Sequence, residues 1–283
     1  ITMFVFSILL GFSEIAKSIT LDFIGVTLRL FQSLGSFTSS MNQIINSHVH
    51  IEKFYEMEKN KTTVNKENFK IKTNSKNVAV DLNNVSFSYF NSEENIFENL
   101  DLKFMKNTHN IITGPNGSGK STLLGLISGV FYCQDGLVST HAEKYGYIGA
   151  TPLIFTSTLR ENLMYGNNLD ISDEVLLQNL REFEVFKEEN NYDLEKMIDN
   201  KSLSSGQMQK IAFIRALVSN VEILLLDEST ANLDDKTRNH IFDILSKSDL
   251  TIINSTHDPD NFKDIDNHYK IELINERREI VLK

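Results

Sequence analysis

Gly114-Pro-Asn-Gly-Ser-Gly-Lys-Ser121 constrains this chain more than any other stretch, because of what flanks it. Before it, His109-Asn-Ile-Ile-Thr113 is a short β-prone run, and after it Thr122-Leu-Leu-Gly-Leu-Ile127 starts a helix-like apolar pattern. Strand, glycine loop and helix in that order form a backbone cradle for an anion. Gly114, Gly117 and Gly119 admit conformations that a side chain would forbid, so amide N–H groups can converge on one point. Pro115, Asn116 and Ser118 fill the loop, and Thr122 follows Ser121 in the first helical turn. A chain of this length matches the pattern by chance roughly once in a hundred, so an ordinary glycine turn is the weaker reading. The pattern assigns Lys120 to the β- and γ-phosphates of a nucleotide and Ser121 to Mg²⁺, with the helix N-terminus favouring the negative charge.

Three further motifs follow. Ile223-Leu-Leu-Leu-Asp-Glu228 is an apolar run ending in two carboxylates, expected of a buried parallel strand that delivers acids to the edge of a sheet. On this reading Asp227 holds Mg²⁺, directly or through water, and Glu228 polarises an attacking water. Upstream, Leu203-Ser-Ser-Gly-Gln207 opens a helix with apolar Ile211, Ile214 and Val218. Downstream, Thr251-Ile-Ile-Asn-Ser-Thr256 is strand-like and runs into His257. Taken in order, phosphate loop, L-S-x-G-Q, apolar run with D-E and a later His resemble the nucleotide-binding domain of ABC transporters. The L-S-x-G-Q element discriminates, because most phosphate-loop ATPases lack it.

That resemblance implies an α/β fold with a parallel core sheet, an antiparallel β subdomain and a helical subdomain, preceded by α-helical transmembrane segments. The cofactors it implies are ATP and Mg²⁺. Each ATP would lie between the loop of one subunit and Ser204, Ser205, Gly206 and Gln207 of a second ABC subunit, in a homodimer or heterodimer. Glu228 and His257 are the implied catalytic pair. Tyr89 lies where the family places an aromatic against adenine, although an aromatic on a sheet face fits it too. Asp234, closing Ala231-Asn-Leu-Asp234, matches the carboxylate of the dimer-contacting loop.

Organisation along the chain fits this plan. Residues 1–58 are apolar or helix-prone, residues 59–76 are polar and lysine-rich and read as a solvated linker, and strands and helices alternate over 77–283. Residues 1–12 are too few to cross a bilayer, which takes about twenty apolar residues, and they lack the basic start of a signal peptide. A second apolar stretch, 21–45, carries Asp22, Arg29 and Gln32. Polar groups of this kind in a membrane helix face a protein interior or wet cavity; a pair of soluble amphipathic helices is the alternative. By resemblance to fused exporters, 1–58 is the C-terminal part of a transmembrane domain, ending near Glu52-Lys-Phe-Tyr-Glu-Met-Glu58, and the first residue, Ile rather than Met, implies a missing N-terminal portion. The chain would then be a multi-pass membrane protein with its ATPase domain in the cytoplasm and an unknown transported substrate.

In the ATPase part, Val85, Phe87 and Tyr89 alternate with serines, and Leu100, Leu102 and Phe104 alternate with polar residues, predicting half-buried antiparallel strands. The acidic stretch 160–202 is expected to form the helical subdomain. The net charge of −10 argues against a nucleic-acid-binding surface, which needs a basic stripe. The single cysteine, Cys133, excludes an internal disulfide and reads as a small buried apolar residue. Two departures from the family stand out: Ala150 occupies the position of a glutamine that contacts metal and water, and Ser205 replaces a glycine. Thr151 or a water is the substitute for the missing amide; otherwise hydrolysis and coupling are weakened. The alternative functions are a soluble ABC ATPase acting on ribosomes or DNA, and an importer ATPase subunit. The former lacks its paired nucleotide domains or coiled coil, and the apolar N-terminal residues argue against the latter.

Overall fold

The computed structural model describes residues 25–43, 66–71, 77–90, 92, 94–186, 192–231, 233–274 and 277–283. The chain divides into two units, residues 1–63 and 64–283. In the first, residues 25–43 form a helix, α1, on which Leu28, Leu30, Phe31, Leu34 and Phe37 are all exposed. Ser36 and Thr38 donate their hydroxyls to carbonyls one turn back. No helix among the described residues is long and apolar enough to cross a membrane. The rest of the segment expected to be transmembrane, including Glu52–Glu58, lies outside the described residues.

In the second unit, β9 (Ile223–Asp227) shows how the fold is dictated. Four consecutive apolar residues are buried on both faces of the strand. Leu224 and Leu226 join one hydrophobic cluster, Ile223 and Leu225 another. Only a sheet covered on both sides can bury such a run. The sheet runs in the order β12 (Arg277–Leu282), β11 (Asn267–Ile274), β4 (His109–Thr113), β10 (Thr251–Ser255), β9 and β6 (Tyr145–Gly149). Its members pair in parallel, apart from the antiparallel β11–β12 hairpin.

A second sheet has the order β1 (Phe69–Ile71), β5 (Asp135–Thr140), β2 (Val78–Ser88), β3 (Asn95–Met105). The antiparallel β2–β3 pair carries the predicted alternation, with Val85, Phe87, Leu100, Leu102 and Phe104 buried. Helix α2 (Lys120–Ile127) belongs to the cluster shared by both sheets, and its Leu123, Leu124, Leu126 and Ile127 are fully buried. Cys133 is buried in the same cluster as a free thiol, and burial raises its pKa.

Two expectations need correction. The linker reading of 59–76 does not hold for 66–71, which contain a 3-10 turn and β1, paired in parallel with β5. Phe69 explains this: its ring packs edge-on to Tyr132 and against Gly129, so one aromatic anchors a short strand on which Lys70 is exposed. Nor is 160–202 helical throughout. Helices α3 (Leu159–Met164) and α4 (Asp173–Glu182) end before a loop and the short β8 (Met197–Ile198), which pairs with β7 (Ser157–Thr158). Arg160 braces the region by bridging Asp173 and Glu195. Helices α5 (Ser205–Val218) and α6 (Asp235–Leu245) cover the other face of the large sheet.

Candidate functional site

The parallel strands β4, β9 and β10 end together, and the predicted loop leaves β4 at that edge. Gly114 is required by space: a Cβ there would lie 2.6 Å from Ser118 Oγ and 3.0 Å from the Ile271 carbonyl oxygen. Gly119 takes φ +100°, left-handed backbone that glycine adopts without strain, and immediately precedes α2. No side chain caps α2. Thr158, Ser204 and Asp234 cap α3, α5 and α6, whereas α4, like α2, has no side-chain cap. At α2, unlike α4, the uncapped first-turn amides follow a glycine loop and adjoin the Lys120 ammonium, an arrangement that suits an anion.

Lys120 is buried, and its Nζ donates to the carbonyls of Gly114 (3.0 Å) and Pro115 (3.2 Å). Ser118 N–H also donates to the Pro115 carbonyl, while its buried Oγ has no partner among the described residues. Pro115, Asn116 and Gly117 are exposed, as is Ser121 on the first turn of α2; Thr122 is buried. A cationic amine, uncapped amides and an exposed hydroxyl around one glycine loop fit a phosphate chain. Among the described residues, no group of three or more His, Cys, Asp or Glu side chains could hold a metal. Ser121 and Asp227 supply only part of a magnesium shell, which suits an ion that takes further ligands from phosphates and water.

Asp227 ends β9, and Glu228 follows it with φ 52°, a left-handed conformation unusual for a non-glycine residue. The Glu228 amide donates to the Ser255 carbonyl at 3.0 Å, tying the turn to the end of β10. His257 Nε2 then lies 2.9 Å from Glu228 Oε1, with both side chains partly exposed. Asp227 has a partner that sequence reasoning missed: the Tyr147 hydroxyl on β6 donates to its Oδ2 at 2.8 Å. Burial, followed by the Asp227 carboxylate, raises the Tyr147 phenol pKa.

Tyr89 follows β2, half-exposed. Its ring is edge-on to Phe87 and Phe131, and its hydroxyl pairs with Thr122 Oγ1 at 2.7 Å, linking it to the first turn of α2. Ala150 lies exposed just beyond β6. The carbonyls of Gly149 and Ala150 both accept from Nε2 of buried Gln209 on α5, a second residue without a sequence signal.

Ser204, Ser205, Gly206 and Gln207 open α5. A reciprocal cap organises them: Gln207 N–H donates to Ser204 Oγ, and Ser204 N–H donates to Gln207 Oε1. Among the described residues, no hydrogen bond joins these four to the phosphate loop. Asp234 Oδ1 accepts from Thr237 N–H at 2.7 Å, the start of α6. The structure thus gathers the loop, Asp227, Glu228 and His257 at one sheet edge, with Tyr89 tied to that edge through Thr122, and presents Ser204–Gln207 at an exposed helix start.

Comparison with known proteins agrees. Residues 97–231 match the model of the ABC transporter family. The chain is similar to the lactococcin-A transport/processing ATP-binding protein LcnC of Lactococcus lactis subsp. lactis, with 28% identity covering 86% of this chain and 39% of that protein. It is also similar to ABC transporter B family member 13 of Arabidopsis thaliana (32% identity, 59% of this chain, 15% of the relative). ABC transporter B family member 1 of Dictyostelium discoideum shows 28% identity over 75% of this chain and 25% of its own length. The chain thus spans less than half the length of each. Tyr89, Asp234 and His257 fall outside the matched residues.

Proposed function

Because the chain carries an ATPase domain of the ABC transporter family, we propose that it binds and hydrolyses ATP to drive an exporter, acting with a second ABC subunit. The observation that carries this reading is the pairing of an uncapped, lysine-bearing glycine loop with Asp227, Glu228 and His257 at one sheet edge. Lys120 exchanges its two loop carbonyls for the β- and γ-phosphates, Gly114–Thr122 surround them, and Tyr89 offers its ring to adenine. Ser121 and Asp227 would hold Mg²⁺, whose charge would offset that of the phosphates. Glu228 orients a water in line with the γ-phosphorus, and His257 steadies the Glu228 carboxylate. Attack breaks the bond from the γ-phosphorus to its bridging oxygen and leaves ADP and phosphate.

Ser204–Gln207 of one subunit would meet the nucleotide held by the loop of the other, with Asp234 near the seam. Their exposure and capped, rigid start support that use. ABC transporters work as dimers with a transmembrane component. We assign 1–58 to such a component, with 59–76 leading into the ATPase domain of 77–283 in the cytoplasm. The exposed apolar side chains of α1 support this assignment. The relatives are transporters by name, which does not favour a soluble ribosome- or DNA-acting ATPase.

Lys120→Ala tests the reading. The variant should lose ATPase activity and bind ATP far more weakly, because the cation nearest the transferred phosphoryl is gone. Wild-type turnover in Lys120→Ala would overturn the phosphate-loop assignment.

A further inference from the structure

The Tyr147–Asp227 hydrogen bond is not accounted for by the nucleotide site as drawn so far. Tyr147 and Asp227 stand on neighbouring parallel strands, with Gly149 opposite Asp227 in the register. Tyr147, like Tyr145, alternates with Gly146 and Ile148, whose face packs against the other helices. Its ring therefore lies on the α2 side of the sheet, the side that also receives Ile223, Leu225 and, by alternation, Asp227. Tyr147 Cε1 is 3.7 Å from where a Gly149 Cβ would sit, so the ring runs along its strand towards the end of β9. There its hydroxyl donates to Asp227 Oδ2. One residue beyond Gly149, Ala150 carries only a methyl group, which can neither ligate a metal nor orient a carboxylate.

We propose that Tyr147 is a positioning residue for the metal of this site, its hydroxyl fixing the Asp227 carboxylate through Oδ2 so that Oδ1 faces the magnesium–nucleotide. The inference rests on the nucleotide-site reading above. A metal-binding carboxylate left to rotate loses affinity, and an outer hydrogen bond that stops the rotation is worth roughly 10- to 100-fold in metal binding. Tyr147 is half-exposed on an edge strand and can supply that bond without needing a cavity. Gln209, which holds the Gly149 and Ala150 carbonyls, keeps the strand end in place beneath it.

The test compares the intact 283-residue chain with Tyr147→Phe, which keeps the ring and removes only the donor. Bound Mn²⁺ is followed by electron paramagnetic resonance in the presence of adenylyl imidodiphosphate, and binding of the same nucleotide without metal is measured by calorimetry. Tyr147→Phe should bind Mn²⁺ about tenfold more weakly, at the lower end of outer-shell effects, with metal-free nucleotide affinity and melting temperature unchanged. Equal Mn²⁺ affinity in the two proteins would overturn the inference while leaving the nucleotide site standing. Tighter Mn²⁺ binding in the variant would also overturn it, by showing that the hydroxyl competes with the metal. Absence of nucleotide binding by the wild-type chain would overturn both readings together.

Discussion

At its C-terminal end, β4 hands the chain to a glycine loop whose Pro115, Asn116 and Gly117 are exposed; at its N-terminal end it begins with His109, packed between aromatic rings. His109 stacks on Phe242 at 5.1 Å and meets Phe262 edge-on at 5.9 Å, beside a cavity of about 240 Å³. Its backbone amide donates to Asp266 Oδ2. Burial lowers its pKa to about 4, although Asp266 and Asp264 pull the other way. The opposite end carries unmet polar capacity: among the described residues, Ser118 Oγ, Ser229 Oγ, Ser255 Oγ and both amide atoms of Asn254 are buried without partners. Glu228 there sits in left-handed backbone. The His109 end also has an atom unpartnered among the described residues, His109 Nε2, and left-handed backbone at Asn107 and Asp264. The ends therefore differ in their surroundings: one encloses its imidazole in aromatic rings, while the other gathers unpaired hydroxyls and amide atoms beside the glycine loop.

If that division is right, changes at the ligand end should cost activity and leave folding alone. Glu228→Gln keeps size and hydrogen bonding but removes the carboxylate facing His257. ATP hydrolysis should fall at least about a hundredfold, the range of a lost general base, while ATP still binds. Size-exclusion chromatography in ATP should show a longer-lived dimer than wild type. A mutant that stays monomeric where wild type dimerises would break the sandwich arrangement, and a large drop in melting temperature would break the division itself.

The packed end should behave in reverse. His109 is neutral in the fold with a pKa of about 4 and titrates near 6.5 once unfolded. Because the folded pKa is depressed for a base, the unfolded chain binds the extra proton between those values. The stability held above pH 6.5 is therefore lost as pH falls towards 4, about 2 kcal/mol of it by pH 5. His109→Phe, which suits the rings of Phe242 and Phe262, should flatten that part of the slope in urea unfolding at pH 7 and 5. ATPase activity at pH 7 should not change. Equal slopes in the two proteins would show that other groups carry the acid sensitivity.

The ligand end was largely legible in the sequence because its chemistry is local. A glycine loop, an apolar run closed by Asp227 and Glu228, and a helix start capped by Ser204 each occupy a few consecutive residues, and their spacing reports their conformation. What stayed hidden depends on contacts across the sheet. Tyr147 reads as one more β-strand aromatic until parallel pairing with β9 sets it beside Asp227. Gln209 reads as a polar position on a helix until it is found reaching Gly149 and Ala150. Phe69, in a lysine-rich stretch, gave no periodic signal because β1 is only three residues long. The helical expectation for 160–202 failed because acidic composition favours helices and loops alike.

The smallest effect bears on Ala150, where the family resemblance leads one to expect a metal-contacting glutamine. Ala150 has no oxygen to offer a metal, yet Gln209 already holds its backbone in place, so a longer side chain at this position would start from a fixed strand end. Ala150→Gln should therefore restore a magnesium contact and raise ATPase activity several-fold in an assembled transporter, on the order of 1 kcal/mol of transition-state stabilisation. ATP affinity should not move, because phosphate binding rests on Gly114–Ser121. The gain should be largest at limiting magnesium, where an added ligand matters most. Thr151 is the rival: exposed beside Ala150, it carries a hydroxyl that can serve the metal in place of the amide. Steady-state kinetics with magnesium titration on wild type, Ala150→Gln and Thr151→Ala separate the two. Unchanged rates in Ala150→Gln with a collapse in Thr151→Ala would mean that the ligand has moved by one residue and that the site is not handicapped. A several-fold gain with Thr151→Ala unaffected would mean that the chain works with an incomplete metal shell, held together by Tyr147 and Asp227.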